Sequence, residues 1–242
     1  KAFRTALALR PRYCAAVTSL LYILNLLPDA EPGKIASEHR DVVAQLYKQT
    51  PISSPTRRRE RCIRIAYMSG DFRAHAVNYF FEPLLEHQNR ELFETWCYSD
   101  VTQTDDVTRR LRQSAQHWRD IAGWSNNRVL AQIKSDRIDV LVDLAGHTEH
   151  NRLAVFARKP ISCQISYLGF PNTTGLQAMD YRIVDTFTAP DDEAATGTEK
   201  LLRLPQGFAC FRPPRRAPEI TAPAALNNGY VSFGSLHKLE KL

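Results

Sequence analysis

"RIDVLVDLAG", residues 137–146, is apolar over most of its length and does not alternate, the pattern of a parallel strand covered on both faces. Working outward, strand-like runs recur at 63–68, 93–98, 117–121 and 138–144, with helical patterns near 75–88, 105–115 and 125–135 between them. Further strands are expected at 161–168, 181–185 and 200–204. Strands alternating with helices predict a doubly wound α/β domain with a mostly parallel sheet.

The flanks read differently. The opening "KAFRTALALRPRYCAAVTSLLYILNLLPD" reads as helix, break at Pro11, then helix. Small residues at Ala6, Ala8 and Ala16, with Pro11 and Tyr13, match a junction between tetratricopeptide units as well as they match an ordinary helical hairpin. Five segments follow: a tetratricopeptide-like helical segment over 1–50, a basic linker over 51–61, the α/β lobe over 62–204, a proline-rich linker over 205–229, and the start of a second lobe over 230–242. "YVSFGS" (230–235) reads as the first strand of that second lobe, and one strand with a partial helix buries no core of its own. The rest of that lobe is expected from the same or another chain.

Composition bounds the function. With 242 residues and 43% hydrophobic content, a sizeable core is available. The longest apolar stretch, "VTSLLYILNLL" (17–27), is too short for a bilayer and is interrupted by Asn25. No membrane association and no signal peptide are expected. Cysteines at 14, 62, 97, 163 and 210 form no C-x-x-C pair, and several sit in strand-like runs, which fits reduced thiols and a cytoplasmic location. The formal charge of +6 is partly local to "RRRER" (57–61) and "RPPRR" (212–216), read as solvated linkers; no nucleic-acid partner is expected.

In open α/β sheets, ligands bind beyond the carboxyl ends of the strands. Three polar clusters occupy such ends: Ser69-Gly70-Asp71 leading to His75, "DLAGHTEHNR" (143–152), and "YLGFPNTTG" (167–175). His75 is placed at a helix start, whose partial positive charge favours a neutral ring able to accept a proton; the alternative is a capping histidine. His147 and Thr148, just past a buried strand, are expected to face the crevice. The spacing His147, Glu149, His150 lacks the i, i+4 histidine pair of helical zinc sites, so no metal is assigned. Neither a Walker sequence, nor G-x-G-x-x-G, nor D-x-D occurs.

Taken in order, "RIAYMSGDFRAHAV", "DVLVDLAGHTEHNRLAVFARKP", "YLGFPNTTGLQAMDYRIVD" and "EKLLRLPQGF" resemble the amino-terminal catalytic half of the O-linked N-acetylglucosamine transferases, a family that includes protein O-fucosyltransferases and bacterial members. The resemblance covers essentially the whole chain. It implies a Rossmann-like lobe of a GT-B glycosyltransferase, with the nucleotide sugar, UDP-GlcNAc by expectation, held mainly by the second lobe and protein acceptors lying over the cleft. It further implies His75 as base or acceptor-positioning group, and Asp71, His147, Thr148, Leu168, Gly169, Pro171 and Thr173 beside the substrates. Lys241 would contact the donor diphosphate. Lys238 and His237 replace the family's usual amide and asparagine there, which puts the donor contacts of this chain in question. Transfer is expected to be inverting, with no cofactor beyond the donor. A non-catalytic protein-binding module is the competing reading; a nicotinamide-dependent oxidoreductase lacks its glycine fingerprint. Residues 1–242 alone are expected to be inactive.

Overall fold

The computed structural model describes residues 1–28, 30–47, 61–190, 196–214 and 217–235. Residues 51–60 of the basic linker and the donor-side residues His237, Lys238 and Lys241 lie outside them.

Three helices open the chain: α1 (Ala2–Leu9), α2 (Cys14–Leu24) and α3 (Pro32–Leu46). Seven strands follow: β1 (Ile63–Ser69), β2 (Phe93–Ser99), β3 (His117–Asp120), β4 (Val140–Asp143), β5 (Cys163–Ser166), β6 (Tyr181–Asp185) and β7 (Lys200–Leu204). Helices α4 (Asn78–His87), α5 (Asp106–Ser114), α6 (Asn126–Ser135) and α7 (Leu153–Phe156) lie between them, and α8 (Ala224–Asn228) comes after β7. The strands form one sheet in the order β3-β2-β1-β4-β5-β6-β7, parallel throughout. Chain order therefore reverses between β1 and β4, the place where a doubly wound sheet opens a crevice at its carboxyl edge.

Alternation along the central strands builds two cores. Ala66, Met68, Trp96, Tyr98 and Leu141 face one side, where they meet Val129 and Ile133 of α6 and also Val17, Leu20, Leu21 and Leu24 of α2. The opening helices thus share their apolar core with the lobe. On the other side Tyr67, Cys97 and Val142 meet Phe81 and Leu85 of α4 and Leu111 of α5. Local signals fix the helix starts: Asp105 and Thr108 form a reciprocal capping box on α5, and the Ser125 hydroxyl accepts from Arg128 N–H on α6.

Pro83, inside α4, has no N–H to give the carbonyl of Tyr79 one turn earlier. That carbonyl accepts instead from the Arg212 N–H at 2.9 Å, so the segment after β7 is strapped across α4. Arg212 adds an ion pair to Glu86.

Two sequence expectations are corrected. α4 begins at Asn78, three residues beyond His75, because the Asn78 side chain folds back to donate to the carbonyls of Asp71 (2.6 Å) and Arg73 and holds 71–77 as a turn. The strand expected at 230–235 does not form: residues 231–235 have no strand pairing and expose Val231 and Phe233 at 68% and 96%. A strand needs a partner edge, and none of the described residues offers one here.

Candidate active site

The three polar clusters follow adjacent strands. Met68 pairs with Asp143, and Asp143 with Ser166, so the loops after β1, β4 and β5 leave the sheet side by side. Two glycines let them touch. A β-carbon on Gly70 would stand 2.6 Å from His150 Cβ, and one on Gly169 would stand 1.8 Å from the Leu144 carbonyl oxygen.

His75 sits on the first loop with its side chain 40% exposed. Its Nδ1 accepts from the Val77 N–H at 3.3 Å and lies 3.8 Å from Asp71 Oδ2. In the neutral ring the proton is then on Nε2. Asp71 is buried beneath this turn and also accepts from Arg73 at 3.3 Å, while Asp105 takes the Ala74 N–H at 2.6 Å. The loop is therefore pinned on both sides of the imidazole.

Asp143 closes β4. Buried, it accepts from the N–H groups of Ala145 and Gly146 at 3.1 and 2.8 Å, and burial pushes its carboxyl up to about 6. The Thr148 hydroxyl donates to the Ala145 carbonyl at 2.9 Å. His147 does not face the crevice as expected. Its ring is 1% exposed, its Nε2 donates to the Thr174 carbonyl at 2.7 Å, and burial drives its pKa down to about 3. Glu149 and His150 take the exposed side of the turn and His147 the inner one, packed against His39 of α3 and Phe170.

On the third loop, the Gly169 N–H reaches the Tyr167 carbonyl at 2.9 Å, a γ-turn centred on Leu168 at φ 70°. The Leu168 side chain packs into the α4–α5 core rather than toward Thr148. Pro171 is exposed, and its carbonyl accepts from Arg182 at 3.0 Å. Thr173 is fully buried, its hydroxyl given to Glu199, and is part of the scaffold.

His75, Thr148, Glu149 and His150 open into a cleft of about 1040 Å³ whose opposite wall is α2. Ala15, Thr18, Ser19 and Tyr22 line that wall, on one helical face by their spacing. That stripe of small and hydroxylated residues is the signal in the sequence that marks this wall, and a search confined to strand ends passes over it. Asp100 and Arg152, also in the lining, form a bidentate pair at 2.7 and 2.8 Å; Arg152 further donates to the carbonyls of Trp124 and Ile121 and to Asn126 Oδ1. Arg152 therefore anchors the β4–α7 loop to those after β2 and β3. Among the described residues no group of three His, Cys, Asp or Glu side chains is placed to hold a metal ion, and none of their helices is long and apolar enough to cross a membrane.

Known proteins share this architecture. The family described as glycosyl transferase family 41 matches residues 18–212. A probable UDP-N-acetylglucosamine–peptide N-acetylglucosaminyltransferase SPINDLY from Solanum lycopersicum is 35% identical over 229 residues, 92% of this chain and 25% of that protein. A UDP-N-acetylglucosamine–peptide N-acetylglucosaminyltransferase from Caenorhabditis elegans is 30% identical over 200 residues, 78% of this chain and 17% of the relative. Among solved structures, a mutant O-GlcNAc transferase from Thermobaculum terrenum matches with a TM-score of 0.86 at 33% identity, covering 90% of this chain and 43% of its own. The chain thus spans about a quarter of the length of the first of these relatives.

Proposed function

The chain belongs to glycosyl transferase family 41, and on that premise we propose that it forms the amino-terminal part of the catalytic machinery of a protein O-glycosyltransferase. In this reading N-acetylglucosamine passes from UDP to a serine or threonine hydroxyl of a protein acceptor, and the carboxyl-terminal lobe supplies most donor contacts. The observation that carries it is the cleft itself, about 1040 Å³ in volume, lined on one side by the His75 and Thr148 loops and on the other by helix α2.

A serine or threonine hydroxyl attacks the anomeric carbon efficiently only if its proton is accepted as the new C–O bond forms. As it stands, His75 presents Nε2–H and so holds the acceptor oxygen by donating to it. If the Nε2 proton is given up to solvent and one is taken from solvent on Nδ1, with the ring turned so that Nδ1–H meets Asp71 Oδ2, now 3.8 Å from Nδ1, Nε2 is free to take the hydroxyl proton. The bond from the anomeric carbon to the diphosphate oxygen breaks on the opposite face, and the configuration inverts. Lys241 is assigned to neutralise the departing diphosphate, so the proposed reaction proceeds without a metal.

The test incubates the full-length protein with a panel of nucleotide sugars and candidate acceptors, followed by mass spectrometry. A sugar mass gained on serine or threonine is the expected result. Acceptors that bind with no mass gained from any donor would identify a protein-binding module and end the proposal.

A further inference from the structure

We infer that His150 is an acceptor-binding residue whose imidazole, at the cleft beside His75, hydrogen-bonds the acceptor polypeptide next to the reacting hydroxyl. The inference rests on the transferase reading and names a residue of that site that the family resemblance did not supply.

Four observations carry it. First, the loop from His147 to Arg152 is fixed almost everywhere by its own side chains. His147 is buried, Thr148 is bonded to Ala145, Asn151 donates to the Thr148 carbonyl at 2.8 Å and to Thr18 of α2 at 3.3 Å, and Arg152 is tied to Asp100. Only Glu149 and His150 project outward, with side chains 86% and 47% exposed. Second, His150 adopts φ 57°, the left-handed region that a β-carbon disfavours. Third, it is held there by the loop that carries His75, since Gly70 leaves the space its Cβ occupies. Fourth, His150 lines the same cleft as His75, and its Nε2 stands 3.6 Å from Glu149 Oε1, outside hydrogen-bond range.

A half-exposed imidazole on a loop fixed by its neighbours, with no hydrogen bond to Nε2 from the described residues, is equipped to bind a ligand at little ordering cost. The ligand class follows from position. The Asn151–Thr18 contact sets this loop against α2, the acceptor wall, and an extended peptide offers a backbone donor or acceptor at every residue.

The test compares His150→Gly and His150→Asn in the full-length protein, because both replacements tolerate the left-handed backbone. His150→Gly is expected to raise the acceptor KM about tenfold, the effect of one lost hydrogen bond. Its kcat and donor KM should stay within twofold and its thermal midpoint at or above the parent's. His150→Asn, which restores a polar group, should recover part of the loss. An acceptor KM within twofold of the parent in His150→Gly would overturn the inference while leaving the transferase reading intact. A lowered midpoint with both KM values raised together would also overturn it, in favour of a structural role. A parent protein that transfers no sugar would remove the transferase reading and this inference with it.

Discussion

His75 has one nitrogen committed to the backbone and one presented to the cleft, so its role is decided by which of them holds the proton. Replacing it by alanine is expected to lower kcat about 100-fold; an unchanged rate would remove it from the mechanism. Gly169 is a different case, needed because its backbone runs against the Leu144 carbonyl at a spacing no β-carbon allows. Gly169→Ala should cost about 3 kcal/mol of stability, measured by urea unfolding. Gly33, in the first turn of α3, has nothing within 4 Å of where a methyl group would stand and provides the control: Gly33→Ala should gain about 0.5–1 kcal/mol.

Between elements, the docking of α3 on the lobe turns on two buried imidazoles, His39 and His147, with ring centroids 5.7 Å apart. Burial lowers the pKa of both, His147 to about 3. The stabilisation from their neutral forms is complete above the ordinary histidine value of 6.5 and is lost as pH falls toward 3. Asp143 runs the other way: its raised carboxyl contributes fully below the ordinary 3.8, and that contribution is lost as pH rises through about 6. The two slopes oppose each other between pH 4 and 6. Asp143→Asn is therefore expected to unmask the histidines, losing up to about 1.4 kcal/mol per pH unit for each proton taken up as pH drops from 6 to 4. Parallel denaturant curves at both pH values check this, and a slope equal to the parent's would refute it. Arg152→Lys, which gives up the bidentate pair with Asp100, should cost about 3 kcal/mol.

Across the whole molecule, legibility followed the range of the forces involved. The strands were readable because burial on both faces writes long apolar runs, and the capping signals of Asp105 and Ser125 are local. What stayed hidden was long-range: the docking of α2, whose Thr18 meets Asn151 across 133 positions; the inward turn of His147; and the Arg212 strap that satisfies Tyr79. Of the candidate site, the three strand-end loops, with His75 and Arg152 in them, were legible, whereas Asp100, its pairing with Arg152 and the α2 stripe were not. The segment beyond β7 leaves Phe211, Ile220, Leu226, Tyr230 and Phe233 between 61% and 101% exposed. Residues 1–242 on their own should thus bind a hydrophobic dye and self-associate with concentration, and Ile220→Ser with Phe233→Ser should reduce both signals in fluorescence and light scattering. The reversal of strand order at β1 also governs biosynthesis. A nascent polypeptide that has emerged only as far as Ser135 holds β1, β2 and β3 but leaves one edge of β1 bare, since the neighbour on that side is β4. Until Asp143 is out of the ribosome, that naked edge is open to pairing with a strand of another chain.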